Sequence, residues 1–346
     1  RELNYMVPTI RWGTVDSEKY EGATVLEAQT GAYYSPITGL DFASLYPSIM
    51  MAHNLCYSTI VLSPQYDNIP GVEYETFEIG DKIYKFAQNV PSLLPVILAK
   101  LKEYRKAAKR AMAVSEGSMK MVYNGKQLAY KISMNSVYGF TGAGKGMLPC
   151  VAIAATVTSK GRSMIEETKA YVEKNFPGSF VRYGDTDSVM VEFNVGELTG
   201  MDAIKKSWEM GVQAAAECTK LFKKPNDLEL EKVYYPYFLY SKKRYAAKMW
   251  IQDRKGDIVF DSVDIKGLQV VRRDNTPFVR EVCKDLLDII LESNNPTEAT
   301  ECARRFGVSL LAGDISMDRL TLSQKLAGSY KSNNLAHVQV RDKMKK

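Results

Sequence analysis

Hydrophobic spacing along this 346-residue chain changes period more than once, and that alternation limits the folds open to it. Residues 23–50 read as a strand region ending in "ITGLDFASLYPSIM", where an apolar run reaches an acidic residue and a sharp turn. Residues 63–91, with "YETFEIGDKIYKF", alternate in the manner of a β-hairpin. From Ser92 the period is helical: Leu94, Ile97, Leu98, Leu101, Tyr104 and Ala108 share a stripe that leaves Lys102, Arg105, Lys106 and Lys109 outside it. A second helical pattern covers about 120–138, after a break at Gly117 and Ser118, so a helical hairpin with basic residues on both arms is predicted. Helix is expected again over 152–174 and 201–224. Between them "SFVRYGDTDSVMVEFN" holds two β-rich runs joined by Gly-Asp-Thr-Asp, a hairpin signal. Residues 232–270 read as strands and the last 70 as mostly helix, with no internal repeat. The order β, α-hairpin, α, β-hairpin, α, β, α predicts an α+β fold.

Composition supports an ordinary soluble class, with 45% hydrophobic and 25% charged residues. No apolar run approaches the roughly 18 residues of a membrane span and no secretory signal is visible, so an intracellular protein without a membrane partner is expected. The five cysteines form no C-x-x-C pair, which predicts free thiols rather than a disulfide framework or a zinc site. A start at Arg1 and a charged end, "VRDKMKK", predict a piece of a longer polypeptide. Net charge is only +6, but residues 100–131 hold nine Lys or Arg against two acidic residues, and "KKRYAAKMWIQDRK" holds six against one. Such local excess suits a polyanion, and it equally suits solvated helix faces.

Two stretches carry candidate chemistry. In "NSVYGFTGAGKGML", Gly139, Gly144 and Lys145 have the spacing of a phosphate-cradling loop, but Gly146 replaces the required hydroxyl and the preceding segment reads as helix instead of strand. In the second, Asp185 and Asp187 stand two apart at a hairpin tip, a spacing that turns both carboxylates to one side of an extended chain. Like charges that close call for a cation, and with Asp41 brought in by the fold they would form a three-carboxylate oxygen site of the kind Mg²⁺ prefers. Asp is also a common turn residue, so the pair alone does not decide the matter.

"DFASLYPSIM", "KISMNSVYG" and "YGDTDSVMV", in this order, resemble the three polymerase signatures of family B DNA polymerases, with a likeness close to the delta-type replicative enzymes, including those of large eukaryotic DNA viruses. "GKQLAYKISMNSVYGFTG", "YPYFLYSKKRYAAKMW" and "DIKGLQVVRRDN" extend the likeness over nearly the whole chain. The resemblance implies a right-hand polymerase: an N-terminal remnant and first part of an antiparallel β palm in 1–91, helical-hairpin fingers in 92–142, the second part of the palm in 143–269, and a truncated helical thumb in 270–346. It implies templated addition of deoxyribonucleoside triphosphates to a primer 3′-hydroxyl with two Mg²⁺ ions. Asp41 and Asp185 would hold the ions, with Asp187 close by and Phe42 and Glu231 as further metal-site positions. Ser44 and Leu45 would offer backbone amides to the phosphates, and Tyr46 would act as a steric gate under the sugar. Arg105, Lys109, Lys131 and Asn135 would clamp the triphosphate, although an exposed lysine explains Lys109 as well. Tyr138 and Gly139 would lie against the nascent base pair. Lys242, Lys243, Arg244 and Tyr245 would grip the primer strand of primer–template DNA.

The "DLE" at 227–229 has proofreading-exonuclease spacing but falls where the resemblance expects a palm strand. A sliding clamp and accessory subunits are expected to attach through parts outside this chain, in the nucleus or at a viral replication site. The competing readings are a non-catalytic nucleic-acid-binding relative and a nucleotide hydrolase. Intact Asp41 and Asp185 argue against the first, and Gly146 against the second.

Overall fold

The computed structural model describes residues 6, 20–253, 255–272, 274–293, 296–323, 327, 329, 330, 332 and 334–344. The chain divides into two compact units, Arg1–Ala28 with Pro36–Val233 and Gln29–Ser35 with Tyr234–Lys346. In chain order the strands and helices begin with β1 (Gly31–Tyr33), β2 (Ile37–Phe42), α1 (Leu45–Ala52), β3 (Tyr74–Ile79), β4 (Lys82–Ala87), α2 (Leu93–Val114), α3 (Gly117–Gly142) and α4 (Val151–Asn175). They continue with β5 (Phe180–Asp185), β6 (Ser188–Glu192), α5 (Gly200–Thr219), β7 (Leu228–Ser241), β8 (Arg244–Gln252), β9 (Ile258–Lys266), α6 (Pro277–Ser293), α7 (Pro296–Ala312), α8 (Met317–Leu320) and α9 (Ala336–Met344).

In the first unit the strand order is β5-β6-β2-β7, with antiparallel β5–β6 and β6–β2 pairs. β2 is central, and Asp41 is its only residue that is not buried. Apolar faces of α1 and α4 supply the core against it, among them Ile49, Met50, Ile153, Val157 and Ile165, packed with Leu40, Phe42, Val189 and Val191. Helix α5 closes on the sheet at Gly211, where an added Cβ would fall 2.2 Å from Leu230 Cδ1 and 2.7 Å from Thr38 Cγ2. β3 and β4 form a separate antiparallel hairpin, as their alternation predicts. The helical hairpin is present as α2 and α3, anchored by Leu98, Ala108 and Met134 while its basic residues stay outside the core.

Three local expectations change. The region read as strand over 23–50 holds only the short β1 and β2, because Ser44 at φ 54 turns the chain into α1, with Pro47 in its first turn, where its missing amide costs little. The break between the helical arms falls at Ser115 and Glu116, since Gly117 at φ +54 already opens α3. Helix α3 continues to Gly142, so Gly139 lies inside it and cannot belong to a phosphate-binding loop.

In the second unit β1 pairs with the end of β7 (Gly31 opposite Leu239, Tyr33 opposite Tyr237), and β8 pairs with β9. Ala246, Leu268, Leu287 and Leu291 form one small core there, and Tyr234, Tyr237 and Tyr245 a second, aromatic one. All five cysteines are free, and burial pushes the Cys218 thiol up to about 12, which keeps it unreactive. No helix among the described residues is long and apolar enough to cross a membrane.

Candidate active site

Asp41 on β2 and Asp185 on β5 both stand opposite Ser188 of β6, so the two acids lie in one transverse row with a single strand between them. Neighbouring strands are about 4.8 Å apart, which sets the two Cα atoms roughly 10 Å apart with both side chains on one face of the sheet. Asp187 sits in the turn. Its amide donates to Asp185 O at 2.7 Å around Thr186, whose φ is 59, and its carbonyl accepts the Phe42 amide at 2.8 Å. The chain is therefore not extended between the two acids, and the alternation rule fails here. Asp187 is held beside its neighbours by a tight turn and by the end of β2. Tyr183 Oη and Thr186 Oγ1 donate to the Asp185 carboxylate at 3.4 and 3.0 Å.

Burial, then the charges of Asp187 and Glu231, push the Asp41 carboxyl up to about 7 against the opposing pull of Lys232 and Lys131. Asp187 is raised too, by burial first and then by Asp185 and Glu231, with Lys131 again opposing. Exposed Glu231 is thus close enough to act on both acids, while its own Oε2 is 2.8 Å from Lys232 Nζ. Among the described residues no three acidic, histidine or cysteine side chains converge on one point, so the expected three-carboxylate cage is not assembled by the protein alone. The donor set nonetheless fits a hard divalent cation: carboxylate oxygens, partly desolvated and mutually repelling, need positive charge, and substrate oxygens and water can fill the remaining positions.

Lys131 on α3 is exposed, and its positive charge favours the ionised forms of both Asp41 and Asp187. Asn135 follows one turn later and so shares a helix face with Lys131. On α2, Arg105 donates from Nη1 to Ser44 Oγ at 3.2 Å, tying the helical hairpin to the start of α1. Lys109, four residues on, is exposed, as are Asn135 and Gly139. No described contact joins Lys109 or Asn135 to the carboxylates. Helix α1 has no side-chain cap at its N-terminus, so the amides of Leu45 and Tyr46, which precede Pro47, have no capping acceptor and suit an anion. The half-buried Tyr46 ring stacks obliquely on Tyr138 at 4.4 Å between centroids. Burial lifts both phenols above the usual tyrosine range, so both stay neutral donors.

In the second unit Lys242 and Lys243 form the turn between β7 and β8 and are exposed, with Lys243 at φ 62. Gly267 backs that turn: a Cβ there would lie 2.2 Å from Lys243 O. Arg244 is half-buried, whereas Tyr245 is buried between Tyr234 and Tyr237, so its ring serves the aromatic core of this unit.

A model of DNA polymerase family B matches residues 1–346, the full length of the chain. The chain belongs to DNA polymerase family B. It is 45% identical to a DNA polymerase of Paramecium bursaria Chlorella virus NY2A, covering 99% of this chain and 38% of that protein. It is 43% identical to the DNA polymerase delta catalytic subunit of Caenorhabditis elegans, over 100% of this chain and 32% of the relative. With that of Schizosaccharomyces pombe the identity is 42%, over 99% and 31%. This family B chain thus spans about a third of the length of the curated relatives it matches.

Several further residues stand around these acids without having been singled out by the sequence motifs. Lys232 opposes the charge on Asp41 and reaches it past Gly39, where a Cβ would stand 3.2 Å from Lys232 Cγ. A glycine in the middle of a buried strand was the available signal, since it marks close approach by another group. Tyr20, Thr24 and Arg162 also touch the site, and nothing in their local sequence pattern points to it.

Proposed function

We propose that this chain carries the nucleotidyl-transfer chemistry of a DNA-templated DNA polymerase, adding deoxyribonucleoside triphosphates to a primer 3′-hydroxyl. The observation that carries the reading is the Asp41–Ser188–Asp185 row in a chain belonging to family B. In this reading residues 92–142 are the fingers, 1–91 and 143–269 the palm, and 270–346 the thumb of a right-hand polymerase.

Asp41 and Asp185 would hold two Mg²⁺ ions, assisted by Asp187 and by Phe42 and Glu231. When bound, the ions supply the positive charge that makes a primer hydroxyl acidic and balances the triphosphate and leaving pyrophosphate. Lys131, Arg105, Lys109 and Asn135 neutralise and orient the triphosphate, while amides at Ser44 and Leu45 meet phosphate oxygens at the start of α1. Tyr46 excludes a 2′-hydroxyl, and Tyr138 and Gly139 lie along the new base pair, where glycine leaves open space. Lys242, Lys243 and Arg244 contact primer phosphates or sugars without reading sequence. Buried Tyr245 supports that turn from within. Primer–template DNA and deoxyribonucleotides are the partners, with a sliding clamp and accessory subunits engaged elsewhere in the polypeptide. The place of action is the nucleus or a viral replication site.

Primer extension and nucleotide hydrolysis, measured on one preparation with defined templates, test the reading. Products whose sequence follows the template, formed with divalent cation and without free phosphate, are expected. Nucleotide hydrolysis without extension would contradict it.

A further inference from the structure

Residues 20–26 form a strap fastened at both ends of the site. At one end Tyr20 Oη lies 3.4 Å from Tyr138 Oη. The carbonyl of Glu21 accepts from Thr158 Oγ1 at 2.8 Å and from Arg162 Nη1 at 3.0 Å, and the carbonyl of Gly22 accepts from Arg162 Nη1 at 2.7 Å. At the other end Thr186 N donates to Thr24 O at 3.2 Å, Val25 bridges Asp185, and Leu26 N donates to Gly184 O at 2.9 Å. Glycines make the fit possible: a Cβ at Gly142 would fall 2.2 Å from Tyr20 Oη, and one at Gly184 would fall 2.8 Å from Leu26 Cδ1. Gly161, next to Arg162, brings α4 against the gate ring, with its Cβ position 3.3 Å from Tyr46 Cε1. A single turn of α4, 158–162, therefore backs Tyr46 and clamps the strap.

We infer that Arg162 is a positioning residue for nucleotide selection: by gripping the carbonyls of Glu21 and Gly22 it fixes the strap that anchors Tyr138 against Tyr46 at one end and braces the Asp185–Thr186 turn at the other. The inference rests on the polymerase reading and deepens it. Arg162 is spent on two backbone carbonyls and on Glu21 Oε2 at 3.4 Å. Besides its charge near Tyr46, its hold on the site runs through the strap. Released from Arg162, Tyr20 no longer pins the Tyr138 hydroxyl, and the Tyr46 ring loses the fixed neighbour that holds it beneath the sugar. The turn carrying Asp185 loses its brace at the same time. Sugar discrimination depends on ring position to within a fraction of an ångström, so it is the property most exposed to this loss.

The test compares Arg162→Met, Arg162→Lys and Tyr20→Phe in the intact polypeptide, with two readouts. One is amide hydrogen exchange at Leu26 and Thr186, the donors that hold the far end of the strap. The other is the ratio of kcat/KM for deoxyribonucleotide over ribonucleotide, with primer–template affinity measured alongside. Arg162→Met is expected to speed exchange at both amides by about tenfold or more and to lower the ratio by about fivefold with DNA affinity unchanged. Arg162→Lys should recover part of both effects. Tyr20→Phe should lower the ratio while exchange at Thr186 stays at the parent's level. An unchanged ratio in Arg162→Met despite faster exchange would make Arg162 merely structural and overturn the inference. Should that variant fail to fold, an unchanged ratio in Tyr20→Phe overturns it as well. A parent that extends no primer overturns the polymerase reading itself, a failure visible before any variant is compared.

Discussion

Asp41 is held under two conditions that disfavour a free carboxylate, burial at the end of a central strand and the nearby charges of Asp187 and Glu231. Its carboxyl titrates near 7 when folded against 3.8 for the ordinary group, so between about pH 4 and 7 the folded chain keeps a proton that the unfolded chain has lost. The unfolding free energy contributed by this group must fall as pH rises through that window. Denaturant titrations in metal-free buffer should show stability declining from pH 4 to 7, with the decline reduced in Asp41→Asn. Mg²⁺ added above pH 7 should recover stability, since only the folded chain gathers these acids. A slope identical in parent and variant would remove Asp41 as the strained group. Three short motifs single out Asp41, Asp185 and Lys131 as candidates, and the strand register brings Asp41 and Asp185 into one row. How Asp187 is held was not legible in the sequence, because it depends on Thr186 adopting φ 59, which no strand alternation reports.

The elements packed around β2 share one core, in which Leu98 and Met134 of the helical hairpin meet Leu40 and Phe42 of the sheet, and two of the contacts between elements have a measurable consequence. Arg105 bridges α2 to the start of α1 through Ser44, so Arg105→Ala should raise the KM for nucleotide about tenfold while primer–template affinity holds. Loss of DNA affinity with an unchanged nucleotide KM would make the hairpin a DNA grip. On the opposite side of β2, Gly211→Ala would drive a methyl to 2.2 Å from Leu230 Cδ1, and the overpacking should cost about 1–3 kcal/mol, read as a lower thermal midpoint. At this scale the β3–β4 hairpin, α2, α4 and the β5–β6 hairpin were legible from periodicity, since each buries a regular face. α1 was not: its eight residues have no polar stripe, six of them being buried, and an all-round apolar run carries no helical signature.

For the whole molecule, the Asp41–Asp185 row and the basic Lys242–Lys243 turn, which the proposed function makes the chemical centre and the DNA contact, belong to different compact units, the row to the first and the turn to the second. That division predicts separable defects. Lys243→Ala should weaken primer–template binding for all sequences alike and reduce the slope of log affinity against log salt by about one, while the rate of bound-state chemistry stays near the parent's. A changed sequence preference would contradict phosphate contact. The chemical role proposed for Asp185 is tested by the single-turnover rate of primer extension by Asp185→Ala in the intact polypeptide, with primer–template affinity determined on the same sample. The rate is expected to fall by about three orders of magnitude or more while DNA affinity barely moves, because in the proposed function Asp185, in register with Ser188, would hold the cation that balances substrate charge. A rate within about tenfold of the parent would place the chemistry elsewhere and contradict it.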